Sequence, residues 1–169
     1  MTIIDILRRE SALMRHHVTG IIQGLTKDDL LWAPPGVANP VGTTLLHVLT
    51  GEDRLIQSVL QGKLSLWEAS RWDQQIGVIS LPVRGHDWTG VDLSSLQAPA
   101  LFAYAQVVEQ GTATYLNLLN DTDLEEEVEV YGQELARAEA LFSIVIHNTS
   151  HAGEIAALMG LLGMRGRTT

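Results

Sequence analysis

The sequence predicts an all-α protein, a four-helix bundle that carries a long irregular insertion between its second and third helices. Apolar residues recur with helical spacing over four long stretches, and glycine and proline cluster between those stretches. Of the 169 residues, 46% are hydrophobic and only 18% are charged, which is typical of a compact globular protein. We expect a single bundle domain over residues 1–165 and a frayed tail at 166–169.

The first two helices occupy the N-terminal part of the chain. The first is expected over residues 2–25, because a capping pattern at Thr2 precedes an apolar face that repeats with the helical period. A loop rich in proline and glycine follows. Thr43 or Thr44 is expected to cap the second helix, which ends near residue 60, just before a glycine.

The insertion begins with Ser65-Leu66-Trp67-Glu68, a capping box that predicts a short helix to about residue 73. Residues 74–98 show no sustained apolar period. A structureless connection of this length is uncommon inside a compact domain and is often functional, so we expect it to lie near a site.

The last two helices are separated by an acidic connector. Pro99 suits the first turn of a third helix over residues 99–119. The connector, residues 121–132, has one candidate extended piece at 128–130. The fourth helix is expected over residues 134–162 and ends at a glycine.

Composition excludes several classes of function. The net charge is −9 and the eleven Lys and Arg residues are scattered, which argues against a nucleic-acid partner. With no cysteine, the chain has no thiol nucleophile, and His, Asp and Glu are its only strong metal ligands. The N-terminus becomes charged too early for a secretory signal, and the most apolar tract, residues 141–163, is interrupted by polar residues. We therefore expect a cytoplasmic protein with no membrane partner.

The fourth helix carries His147 and His151 four residues apart, so both imidazoles lie on one face about a turn apart. The other members of this stripe are Ala140, Ile144, Glu154, Leu158 and Leu162. Because the stripe is largely apolar, we expect it to face the core, where unpaired polar groups are costly. A metal ion would pair both rings; the alternative is two core histidines hydrogen-bonded to carbonyls or carboxylates. The Glu of a His-Glu-x-x-His protease motif is missing.

The sequence pattern alone does not identify a third metal ligand. His47 points almost opposite to the apolar face of the second helix, which centres on Leu45, Leu49 and Ile56. One interpretation is a solvated histidine. The other is that this small polar face, which includes Arg54, lines a cavity, while the apolar face meets another helix or a second subunit.

The remaining histidines give further candidates. His17, near Glu10 at the edge of the first helix's apolar face, is either a boundary residue with its polar tip in water or a pocket group that contacts substrate. His16 points to the other side and is expected to be solvated. His86, in the insertion, could approach a pocket from above.

The order of these parts resembles the DinB-like superfamily of bundle metalloproteins. The matching segments are Thr44-Leu45-Leu46-His47 with Glu52, and His147-Asn148-Thr149-Ser150-His151-Ala152-Gly153-Glu154. The resemblance implies that His47, His147 and His151 hold one divalent metal with positions left for water or substrate, which places His47 at the cavity. Glu154 stands where the family often has Gln, which suggests that it supports a ligand or acts as a base.

The resemblance also implies chemistry, because members with known activity include thiol-dependent isomerases and transferases. Our leading hypothesis is a metal-dependent enzyme that uses a low-molecular-weight thiol as cosubstrate and acts on a small molecule. Arg54 or Arg84 would hold a carboxylate of the substrate, although a surface role is the alternative for each. The metal is zinc, nickel, iron or copper; ligand type does not choose among them.

Two other classes of function stay open. One is a metal-dependent hydrolase that activates water, with Glu154 or Glu52 as the base; Glu52 lies on the apolar side of its helix, away from His47, which counts against it. The other is a non-catalytic metal- or ligand-binding bundle. In all three cases we expect a homodimer through the apolar side of the second helix.

Overall fold

A computed structural model describes residues 1–82, 88 and 90–164 of the chain. Within these residues the protein is mostly helical, with seven α-helices and one two-stranded antiparallel sheet. The helices are α1 (Ile3–Ile22), α2 (Lys27–Leu31), α3 (Val41–Asp53), α4 (Leu66–Ala69), α5 (Trp72–Ile76), α6 (Ala98–Leu118) and α7 (Arg137–Leu161). The four long helices correspond to the four predicted ones, whereas the sheet corrects the all-α expectation.

Three further elements complete the described chain. A π-helical segment, Arg54–Val59, continues α3 without a break, and a 3₁₀ turn spans Asp123–Glu125. The sheet consists of β1 (Glu127–Val130) and β2 (Gln133–Ala136). Because β2 occupies the predicted start of the fourth helix, that helix begins three residues later than expected.

Local capping explains where three of the described helices start. The capping boxes predicted at Thr2 and Ser65 are both present, and a third one at Thr26 opens the unpredicted α2. The start of α3 was predicted wrongly. It begins directly after Pro40, and the hydroxyls of Thr43 and Thr44 donate to the Pro40 carbonyl from inside the first turn.

The long helices share one core. Both α1 and α3 pack against α6 and α7. The apolar side of α3 and of the π-helical segment that continues it, including Leu45, Leu49 and Ile56, is buried inside the single chain. This corrects the predicted dimer surface, because the side of the second helix that was expected to meet another subunit packs against other helices of the same chain.

Some sequence predictions fall on parts of the chain that are not described. Arg84, His86 and the tail at 166–169 all lie outside the described residues. The single domain over residues 1–165 stays a prediction. None of the helices in the described ranges is long and apolar enough to cross a membrane.

Candidate metal centre

Two long helices bring the three predicted histidines together. His47 comes from α3, and His147 and His151 come from consecutive turns of α7. One ring nitrogen of each lies within 4.8 Å of the other two, so the three side chains can hold one ion. The rings stand edge to face, with centroids 4.6 to 4.9 Å apart.

His147 is held from both ends of its ring. Its Nε2 lies 2.9 Å from Nε2 of His47, and its Nδ1 lies 3.0 Å from the Asn148 Oδ1. Because an amide oxygen only accepts, this contact is a hydrogen bond when Nδ1 carries the ring proton. Nε2 then carries the lone pair and faces the other two histidines.

His151 has a carboxylate partner in the predicted place. Its Nδ1 lies 2.7 Å from the Glu154 Oε2, one turn further along α7. A carboxylate on the far nitrogen of a ligating histidine fixes its tautomer and raises its basicity, which is a common arrangement around protein metals. Nε2 of His151 is thereby left for an ion.

The donor set fits a divalent ion of borderline hardness. In tetrahedral coordination at 2.0–2.1 Å, ligand nitrogens lie about 3.3 Å apart. The 2.9 Å separation of the His47 and His147 nitrogens and the 4.8 Å limit for the whole set bracket that value. Three imidazoles suit zinc, nickel, iron or copper.

A buried polar chain lies behind His147. The Asn148 Nδ2 donates to the Glu52 Oε2 at 2.7 Å, and the Thr112 hydroxyl donates to the Glu52 Oε1 at 2.6 Å. Arg15 lies 4.0 Å from the same Oε1. Burial raises the pKa of Glu52, while the hydrogen bonds and the nearby guanidinium act in the opposite direction.

Sequence reasoning missed this chain. It placed Glu52 on the apolar side of its helix. In the structure this side meets Asn148 of α7 and Thr112 of α6, and the helical period cannot reveal such contacts. The available signal was Asn148 itself, a polar residue that directly follows a candidate ligand in an apolar tract.

A cavity of about 1030 Å³ opens beside His47 and His147. One side of the cavity is the small polar face discussed above, which runs along α3 and its π-helical continuation and includes Thr50, Arg54 and Ser58. Apolar and aromatic walls come mainly from the insertion and the hairpin: Leu64, Trp67, Leu81, Pro82, Trp88 and Tyr131. The Trp88 ring lies edge-on to His47, with centroids 5.2 Å apart.

The two predicted substrate residues differ in where they lie. Arg54 lines the cavity. His17 is half-buried on α1, edge-on to His16, and does not appear among the described residues of the cavity wall. The structure therefore brings Arg54 to the site but not His17. Glu10 is exposed on the same helix.

Comparison with known proteins decides the family. A model of the DinB superfamily matches residues 11–155, most of the chain. The chain belongs to the DinB superfamily. The resemblance inferred from the histidine segments is therefore confirmed, and the three histidines belong to a DinB protein.

Solved structures agree on the fold of this DinB protein. A conserved protein from Enterococcus faecalis superposes with a TM-score of 0.77 at 16% identity, covering 96% of this chain and 99% of its own. A DinB-like protein from Bacillus cereus gives a TM-score of 0.65 at 15% identity, covering 92% and 90% respectively. At such identities the likeness shows the fold alone. No curated protein matches the chain.

Proposed function

We propose that this DinB protein is a metal-dependent enzyme of the thiol transferase or isomerase type, built on a four-helix bundle of α1, α3, α6 and α7. One divalent ion would be held by His47, His147 and His151. The observation that supports this best is that three convergent imidazoles lie beside a cavity of about 1030 Å³, large enough for a small-molecule substrate.

The protein residues would share the work around the ion. When bound to three imidazoles, a divalent ion lowers the pKa of a thiol or water placed beside it. Glu154 orients His151, and Arg54 on the cavity wall supplies a positive charge for a carboxylate of the substrate. Trp88 and the other apolar walls would reduce the amount of water around a bound substrate, which would strengthen these electrostatic contacts.

A hydrolase is the second candidate, and it depends on Glu154 as the base. The Glu154 side chain is 39% exposed beside the site, so it can reach a water molecule. Glu52 is excluded from this role in the described structure, because it is 3% exposed and both of its oxygens accept hydrogen bonds from buried partners. Dependence on added thiol separates the two: the hydrolase turns over without thiol and the transferase does not.

A homodimer stays a prediction and needs a surface other than the buried side of α3. Phe142 and Ile146, one turn apart on α7, are exposed apolar side chains that could contribute to one. Sedimentation at several protein concentrations checks the oligomeric state, and a monomer at all of them would contradict the prediction.

The ligand assignment is tested by replacing His151 with alanine. We expect metal content to fall sharply with helical content unchanged, because a two-histidine site binds divalent ions much more weakly than three. Mass spectrometry of metals and circular dichroism are the measurements. His17→Ala, which removes a histidine of α1 away from the cavity wall, is the control and should retain metal. Full metal content in the His151 variant would contradict the assignment.

A further inference from the structure

We propose that Glu52 and Asn148 are positioning residues that fix the tautomer of His147 and direct its Nε2 toward the metal. This inference rests on the proposed metal site and concerns how the protein prepares one of its three ligands. The competing interpretation is a core polar network that only holds helices together.

The first step of the argument is the orientation of the Asn148 amide. An ionised carboxylate only accepts hydrogen bonds, so the side chain of Asn148 must turn its NH₂ group toward Glu52, as the 2.7 Å contact shows. Its oxygen then faces the His147 ring at 3.0 Å. The charge on Glu52 thus selects the Nδ1–H form of His147 through one intervening amide.

The second step is what favours the charged form of Glu52 in the core, against the burial that raises its pKa. Thr112 on α6 donates to one of its oxygens, and Arg15 on α1, itself 6% exposed, lies 4.0 Å from the same oxygen. A buried carboxylate is tolerated when it has hydrogen bonds and an opposite charge nearby. The relay therefore draws on all four long helices, with Arg15 and Thr112 behind and His147 in front.

The variant Glu52→Gln separates orientation from packing. Glutamine has nearly the same shape, and its NH₂ group can donate to the Asn148 oxygen, which lets the Asn148 amide rotate. The nitrogen of Asn148 would then face His147 and favour the Nε2–H form, which has no lone pair at Nε2. We expect zinc affinity to fall about 10- to 100-fold, as for other residues that support metal ligands.

Tyr104→Phe is the matched control. It removes a buried hydrogen bond from Asp53, the neighbouring carboxylate of α3, and leaves Glu52, Thr112 and Asn148 in place, so it perturbs the core without releasing the amide. We expect a lower melting temperature and zinc affinity within about twofold of the wild type. A purely structural network predicts instead that the two variants change zinc affinity alike.

The experiment combines zinc affinity, measured by competition with a chromophoric chelator, with ¹⁵N NMR of the histidine rings in metal-free protein. At about pH 8, where an unperturbed imidazole is neutral, His147 should carry its proton on Nδ1 in the wild type and in Tyr104→Phe, but on Nε2 in Glu52→Gln. An Nε2–H form of His147 in the wild type would overturn the inference, even if Glu52→Gln failed to fold. Equal zinc affinity of the two variants would overturn it as well.

The same experiment keeps the two proposals apart. A wild-type protein that binds no zinc, nickel or iron would remove the proposed function. The tautomer of His147 in the metal-free protein would still decide whether Glu52 and Asn148 set it.

Discussion

At the level of single residues, the candidate centre depends on what occupies the far nitrogen of each ring. Asn148 contacts Nδ1 of His147, and Glu154 contacts Nδ1 of His151. Both contacts favour the tautomer that carries its proton on Nδ1, so that the lone pair of Nε2 is available to the cluster. Two histidines that only form hydrogen bonds within the core have no need to direct both Nε2 lone pairs at one point. These partners therefore favour the metal interpretation over that alternative.

Tyr131 has a left-handed backbone conformation that does not suit its bulky side chain. It occupies the first position of the two-residue turn between β1 and β2, with φ +53°, and Gly132 follows at φ +87°. Such turns favour Asn or Gly because both residues need positive φ. The Tyr131 side chain is 56% exposed and lines the cavity.

Replacing Tyr131 with asparagine should therefore stabilise the protein. We expect the free energy of unfolding to rise by about 1 kcal/mol, the usual cost of a left-handed backbone at a bulky residue. Urea denaturation measures the change. Tyr131→Ala is the control, because it removes the ring but keeps the unfavourable backbone and should give no gain. A loss of stability in the asparagine variant would show that the ring contributes more than its backbone costs.

At the level of elements, the insertion is fastened to the long helices at a few points. Asp53, at the end of α3, accepts hydrogen bonds from the Leu66 and Trp67 amides at 2.9 Å each and from the Tyr104 hydroxyl at 2.8 Å. It thereby holds the first turn of α4 against α3 and α6. Gly77 ends α5 at φ +78°, where a Cβ would collide with the Ser95 carbonyl oxygen.

The Gly77→Ala change should be one of the most destabilising glycine substitutions in this chain. We expect a loss of about 2–4 kcal/mol, because the positive φ and the collision with backbone act together. Gly62→Ala is the matched control: its φ is +65°, but a Cβ there meets nothing within 4 Å. It should cost only about 1 kcal/mol by the same urea measurement. Equal losses would mean that the contact between Gly77 and Ser95 does not restrict the loop.

Asp53 also gives the fold a predictable response to pH. Burial raises its pKa above the ordinary 3.8, an effect that its hydrogen bonds offset in part and the Glu68 charge reinforces. With a raised folded-state pKa, the unfolded chain releases the Asp53 proton first as pH increases. The contribution of Asp53 to the free energy of unfolding therefore falls from about pH 4 up to the folded-state pKa and is constant above it.

The comparison that isolates this effect is Asp53→Asn, which cannot titrate. We expect the free energy of unfolding of the wild type, taken relative to the variant, to fall as pH rises through this window. Urea denaturation between pH 4 and pH 8 measures the difference, in which the other titrating groups cancel. A difference that rises with pH would contradict a raised pKa at Asp53.

At the level of the whole molecule, the sequence predicted what depends on local pattern and missed what depends on distant contacts. The four long helices, the extended piece near 128–130 and the capping boxes at Thr2 and Ser65 all follow from periods and short motifs. The hairpin partner, β2, was hidden in a segment that also suits a helix start. His47 was ambiguous because a helical period gives a direction without saying what lies there.

The same limit applies to the site. The relation of Glu52 to Asn148 joins residues 96 positions apart, and only the packing of α3 against α7 brings them into contact. The two α7 histidines were accessible from spacing, whereas the third ligand needed the family resemblance. Arg54 lies on the predicted polar face, and His17 shows that a residue at the edge of an apolar stripe need not reach the cavity.

The central claim is that three histidines on α3 and α7 hold one divalent ion. The most direct test is elemental analysis by mass spectrometry of the untagged wild-type protein, as purified and after incubation with zinc, nickel or iron followed by desalting. We predict about one equivalent of a divalent metal per chain. A protein that remains metal-free after each of these incubations would contradict the account and leave the three histidines as a hydrogen-bonded cluster between two helices.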